Sequence, residues 1–173
     1  MFHVVLFQPE IPPNTGNIIR LCANSGAHLH LIEPLGFIWD DRRLQRAGLD
    51  YHEYASVSRH RDFTTFLETT APHRVLAFST RGQTRYDTCR YAPGDALLFG
   101  PETRGLPAPL LQTLPATNRV RIPMRPGSRS LNLANTVALA LYEAWRQQGF
   151  AGADQRDTTT GHPLTGSAFD EPA

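Results

Sequence analysis

Strand-like and helix-like segments alternate along the first 149 residues, and this alternation restricts the chain more than any other feature. Residues 2–7 are apolar and β-like and run into the turn Gln8-Pro9-Glu10-Ile11-Pro12-Pro13. Asn14 or Thr15 can cap a helix through Ser25, with Gly26 as its stop. Residues 28–32 read as a second strand. Asp40 caps a short Arg-rich helix to about Ala47, a strand follows near residues 51–57, and Asp62 opens a helix to about Thr70. Residues 74–79 and 96–99 are short strands, 107–114 a short helix, and 119–122 a last strand. Residues 130–148 form the longest helix, closed by Gly149. The series predicts one α/β domain over residues 1–149, with a mainly parallel sheet and flanking helices.

Composition removes several classes. The 40% apolar content is that of an ordinary globular protein. No apolar run reaches the roughly 18–20 residues of a membrane helix, and the N-terminus lacks the basic lead of a signal peptide. Two cysteines, Cys22 and Cys89, make neither a disulfide framework nor a paired-cysteine metal motif, so a cytoplasmic setting is expected. His28 and His30 share a strand face with no third ligand spaced to complete a metal site, and they read as ordinary strand residues. Residues 150–173, rich in Gly, Thr, Asp and Pro, cannot offset their ordering entropy by burial and read as a mobile tail.

Charge is unevenly spread. The formal net is only +1, yet residues 73–129 carry nine Arg against three acids, a net of +6. All 17 basic residues are Arg, whose planar fork suits phosphate oxygens and base stacking. Codon bias in a GC-rich genome explains the absence of Lys at least as well, but not the concentration of basic charge in one third of the chain.

The last helix is unusual in another way. Leu131, Leu133, Val137, Leu139, Leu141 and Trp145 leave almost no polar face before Glu143 and Arg146. A helix apolar on most sides is buried on most sides, so packing on its own sheet and on a second copy is expected. A homodimer follows.

Three segments carry chemistry, each combining Gly or Asn with a loop after a strand. In Asn14-Thr15-Gly16-Asn17-Ile18-Ile19-Arg20, a helix start offers N–H groups and amides to a polar ligand. A well-capped helix with a solvated Arg20 explains that segment at least as well. In Phe99-Gly100-Pro101-Glu102-Thr103-Arg104-Gly105-Leu106, a strand delivers a carboxylate and bare backbone to the carboxyl edge of the sheet, where open α/β sheets bind ligands. Gly100 and Gly105 permit close approach or positive φ; a turn that merely needs Gly and Pro fits equally. From Ile122 to Asn135, a loop with Arg125 and Arg129 leads into a helix whose first turns hold Ser130, Asn132 and Asn135. Ser130 can serve as its N-cap, but two Asn on so apolar a helix imply buried amides with partners.

Together the patterns N-T-G-N-I-x-R, F-G-P-E-T-x-G-L and I-P-M-x(5)-S-L-N-L-A-N resemble the motifs of the SPOUT (α/β-knot) methyltransferase superfamily, in the same order along residues 1 to about 149. Within it the chain is most similar to the small tRNA wobble-nucleotide 2′-O-methyltransferases. The resemblance implies a C-terminal trefoil knot. It implies S-adenosyl-L-methionine as cofactor, held by Phe78, Gly100, Ile122, Met124, Ser130, Leu131 and Asn135. It implies a tRNA substrate methylated on the ribose of nucleotide 34, cytidine or modified uridine, in leucine isoacceptors. Arg20 matches the family's catalytic Arg, and Asn17, Glu102 and Asn132 would organise the site. Arg81, Arg85, Arg125 and Arg129 would track the tRNA backbone, with Tyr142 as an RNA contact or part of a dimer interface. The competing readings are 2′-O-methylation of another tRNA or ribosomal RNA ribose, and a non-catalytic nucleotide-binding α/β module.

Overall fold

The computed structural model describes residues 1–39 and 57–154. In chain order the elements are β1 (His3–Phe7), α1 (Pro12–Ser25), β2 (His28–Ile32), β3 (Val57–His60), α2 (Phe63–Thr70), β4 (Arg74–Phe78), β5 (Thr84–Arg85), β6 (Asp95–Phe99), α3 (Ala108–Thr113), a 3-10 turn (Ala116–Asn118), β7 (Arg119–Arg121) and α4 (Leu133–Gln147). The strands form one sheet in the order β3-β2-β1-β6-β4-β7-β5. Every neighbouring pair among the described residues is parallel. The predicted α/β class is therefore observed. The helix expected from Asp40, most of the strand near 51–57, and the tail beyond residue 154 lie outside the described residues. The two-residue β5 carries no periodicity and escaped the sequence reading.

Both faces of the sheet are covered, and the central strands show why. On β1, Val4 and Leu6 face one core while Val5 faces the other; on β6, Leu97 and Phe99 oppose Ala96 and Leu98; on β4, Leu76 and Phe78 oppose Val75 and Ala77. Strands that are apolar on both sides belong between two helical layers. Helices α1 and α4 pack on one face and against each other, while Phe66 of α2 and Leu111 of α3 plug the other.

Helix α4 packs on its own sheet, as expected. Only one stripe of it is buried: Leu133, Val137, Ala140, Leu141 and Ala144. Leu139 and Tyr142 stay 42% and 43% exposed. The helix is apolar all round but buried on one side, because a single sheet can cover only one stripe.

The wing β3-β2-β1 holds a second surprise. His3, His30 and His60 form a ladder across the three strands: His3 Nδ1 lies 3.0 Å from His30 Nε2, and His30 Nδ1 lies 3.0 Å from His60 Nε2. The rings of His30 and His60 pack edge-on against Phe66. His30 is thus no ordinary strand residue. A neutral imidazole has one donor and one acceptor, so each ring can satisfy its neighbour without charge. Burial, reinforced by His3 and His60, pushes the His30 pKa down to about 3.

Candidate active site

Because the strands run parallel, β1, β4, β6 and β7 all release their loops at one edge. There the loops after β4, β6 and β7 enclose a cavity of about 580 Å³. Its apolar wall includes Phe78 and Phe99, which stack with ring centroids 4.8 Å apart, together with Ile122, Met124 and Leu131. Its polar wall includes Ser79, Thr80, Thr103, Ser130, Asn132 and the guanidinium-bearing Arg81, Arg104 and Arg129. Gly100 closes the loop after β6 on itself: a Cβ there would stand 2.3 Å from Leu106 N. Gly105, in the same loop, has φ +68°. Both glycines are used as the sequence suggested.

Helix α1 enters the site by an unusual start. It begins at Pro12, not at Asn14 or Thr15, and the residue at its N-cap position, Ile11, offers no capping side chain. Two of the usual orphan donors are absent because Pro12 and Pro13 have no N–H. Glu102, from the loop after β6, takes the donors that precede them. Its Oε2 accepts from Glu10 N at 2.8 Å and its Oε1 from Ile11 N at 3.3 Å. That same Oε1 accepts from Asn14 Nδ2 at 3.1 Å. Asn14 is buried and passes the connection on, its Oδ1 accepting from Asn132 Nδ2 at 2.9 Å. Asn132 Oδ1 in turn accepts from Asn135 N, so Asn132, and not Ser130, caps α4. One chain of hydrogen bonds thus runs from the carboxylate through two amides and joins all three motif segments. Its direction orients both amides, since only one arrangement lets each donor meet an acceptor.

Phe78, Gly100, Ile122, Met124, Ser130 and Leu131 line this one cavity, as do Glu102, Asn132, Arg81 and Arg129. Asn135 does not line it: this residue is exposed on the first turn of α4, and Asn132 is exposed as well. The expected pair of buried amides is therefore wrong in identity. The buried amide is Asn14, and the outer two occupy a helix start where solvent reaches them. Asn17 is exposed one turn beyond Asn14 and outside the cavity, so Asn14 takes the organising place expected of Asn17.

Arg20 is exposed on α1, six residues past Asn14, about 9 Å along the helix axis. It does not line the cavity. Arg85 and Arg125 also lie outside it, both exposed, and Arg85 is paired with Asp87 at 2.5 Å. Arg74, in the same basic segment, is held by the buried Asp95 at 2.9 Å. Tyr142 stands on the outer face of α4 with its ring edge-on to Trp145. Among the described residues no group of histidine, cysteine and carboxylate side chains is arranged to hold a metal ion.

Residues 1–142 match the SpoU rRNA Methylase family. A tRNA (cytidine(34)-2'-O)-methyltransferase from Escherichia coli (strain K12) is 59% identical over 157 residues, covering 91% of this chain and all of that protein. A solved structure concerned with the 2-OH methylation of C/U34 on tRNA is 49% identical, with a TM-score of 0.77 over 86% of this chain and 97% of that one. An AdoMet-bound rRNA methyltransferase from Sinorhizobium meliloti is 28% identical, with a TM-score of 0.71 over 84% of this chain and 56% of that one.

Proposed function

We propose that this chain, which belongs to the SpoU rRNA Methylase family, transfers a methyl group from S-adenosyl-L-methionine to the ribose 2′-OH of nucleotide 34 in tRNA. The observation that carries the reading is the convergence of Phe78, Gly100, Ile122, Met124, Ser130 and Leu131 on one cavity at the carboxyl edge. The similarity to the Escherichia coli enzyme supports cytidine as the base; we extend the reading to uridine and to leucine isoacceptors.

The cavity fits such a cofactor. At about 580 Å³ it is in the range of cofactor clefts, roughly 300–1,000 Å³, and it combines a stacked aromatic wall with hydroxyl, amide and guanidinium groups. Phe78, Ile122, Met124 and Leu131 would hold the apolar parts and Ser130 the polar ones. The bound cofactor supplies an activated methyl group on a sulfonium. What remains for the protein is to position the ribose, exclude water and favour charge on the 2′-oxygen.

Arg20 suits the last task. A guanidinium is a donor only, so Arg20 stabilises the developing 2′-oxyanion or clamps the adjacent phosphate, and the proton leaves to a phosphate oxygen or to solvent. Its exposure beyond the cavity is where a nucleophile arriving on RNA must meet it. Arg81, Arg125 and Arg129 are exposed cations that can follow the backbone. The exposed Leu139 and Tyr142 of α4 support a homodimer through that helix. We include in the reading the trefoil knot, a cytoplasmic setting and a domain ending near residue 149.

The test is mass spectrometry of tRNA nucleosides from a deletion strain, complemented with the wild type or with Arg20→Ala. The expected result is loss of 2′-O-methylcytidine at position 34, restored only by the wild type. Unchanged modification at that position, with loss at another tRNA or ribosomal RNA ribose, overturns the target. Full restoration by Arg20→Ala overturns the role of Arg20.

A further inference from the structure

Glu10 belongs to none of the segments that the motifs single out, and it does not line the cavity. It is nonetheless tied to the cavity wall more closely than most residues that do. Its Oε2 accepts from Thr103 N at 3.0 Å and from Thr103 Oγ1 at 2.7 Å, and Thr103 lines the cavity. Meanwhile the backbone N–H of Glu10 donates to Glu102, the residue before Thr103. The two carboxylates are therefore exchanged between neighbouring loops: Glu102 reaches to the loop after β1, and Glu10 reaches back to the loop after β6. A third tie runs alongside, from Arg104 to Gln8 Oε1 at 2.7 Å.

The base of this clasp is rigid. Gly36 packs so tightly on Glu10 that a Cβ there would lie 2.8 Å from Glu10 Cα, and Gly36 N donates to Pro9 O at 2.9 Å. Glu10 is thus held from behind by the loop after β2 while its carboxylate points forward to Thr103. The two Thr103 hydrogen bonds hold that carboxyl below the usual carboxylate range, so it stays an anion with two acceptor oxygens through the neutral range.

We propose that Glu10 is a positioning residue for the cofactor, presetting the loop 100–105 in its binding shape by fixing both the amide and the hydroxyl of Thr103. This rests on the cavity being the S-adenosyl-L-methionine site. A loop ordered before binding does not have to be ordered by it, and the saving appears as affinity. The chain from Glu102 through Asn14 to Asn132 does not pass through the Glu10 carboxylate. Glu10 therefore acts on cofactor binding and not on the alignment of Arg20.

The experiment is calorimetric titration of the full-length protein with S-adenosyl-L-methionine, for the wild type, Glu10→Ala, Glu10→Gln and Thr103→Val, with steady-state kinetics and thermal melts of each. Glu10→Ala is expected to weaken binding about tenfold. Glu10→Gln, of equal length and keeping one acceptor oxygen, loses about threefold or less, and Thr103→Val, which keeps its amide, falls between the two. In the two Glu10 variants the KM for the cofactor rises in step while kcat at saturation stays within about twofold. Unchanged cofactor affinity in Glu10→Ala overturns the proposal. So does a kcat that falls with the melting temperature while Glu10→Gln gives no rescue, which marks a role in the fold. Absence of cofactor binding by the wild type overturns the reading of the cavity itself, and with it this role.

Discussion

Two parts of the molecule link polar side chains into hydrogen-bonded chains, and they do so with different chemistry. At the carboxyl edge the chain Glu102–Asn14–Asn132 uses one carboxylate and two amides. On the wing β3-β2-β1, the ladder His3–His30–His60 uses three imidazoles. Amides do not titrate, whereas imidazoles change charge close to neutrality. The two amides of the edge network therefore keep their donors and acceptors across neutral pH. The ladder is a stabilising device that works only while its rings are neutral. The proposed site and the acid-sensitive ladder sit in separate regions.

The largest expected effect tests the edge. Glu102→Ala leaves Glu10 N, Ile11 N and Asn14 Nδ2 without their acceptor at once. Methyl transfer should fall on the order of 100-fold in kcat/KM, about 2.7 kcal/mol. Activity within about threefold of wild type would dissolve the distinction between the regions.

A smaller effect tests the ladder. His30 is neutral when folded, but unfolded it takes up a proton near pH 6.5. The unfolded state thus binds more protons between about pH 6.5 and 3, so stability is full above that window and is lost as pH falls through it. At pH 5 the loss from this ring is about 2 kcal/mol. The groups whose charge acts on it are His3, His60 and His28, with the Met1 amine acting on His3. In His30→Phe the loss of urea stability between pH 7.5 and pH 5 should shrink by about that amount. Methyl transfer at pH 7.5 should stay within about threefold. An unchanged pH slope would remove the ladder from the account.

The smallest effect concerns a group that belongs to neither region. Thr15 Oγ1, in the first turn of α1, is buried without a hydrogen-bond partner among the described residues. Thr15→Val exchanges this hydroxyl for a methyl of similar size and should stabilise by about 1 kcal/mol, raising the melting temperature roughly 2–4 °C. A lower melting temperature would show that the hydroxyl has a partner in solution.

Much of this was legible in the sequence for physical reasons that differ by element. The strands at β1, β4 and β6 are apolar on both faces, which few other settings allow, and their positions were read to within about a residue. The convergence of loops at one edge follows from the parallel order and needed no side-chain detail. What escaped depended on contacts distant in sequence. Local patterns nominate Asn14 or Thr15 as caps and Asn132 with Asn135 as buried amides. Only the arrival of Glu102, 88 residues after Asn14, determines that Asn14 is the buried one. The ladder likewise joins residues 27 and 30 positions apart, and no period within β2 announces it.

The start of α1 has a consequence for how the molecule comes into being. The first amides of this helix find their partners locally, but the two that precede it and the Asn14 side chain take theirs from position 102. The entry to α1 therefore gains its full set of partners only once β6 and the loop behind it are in place, so fixing the start of the helix and shaping the cavity rim are one event.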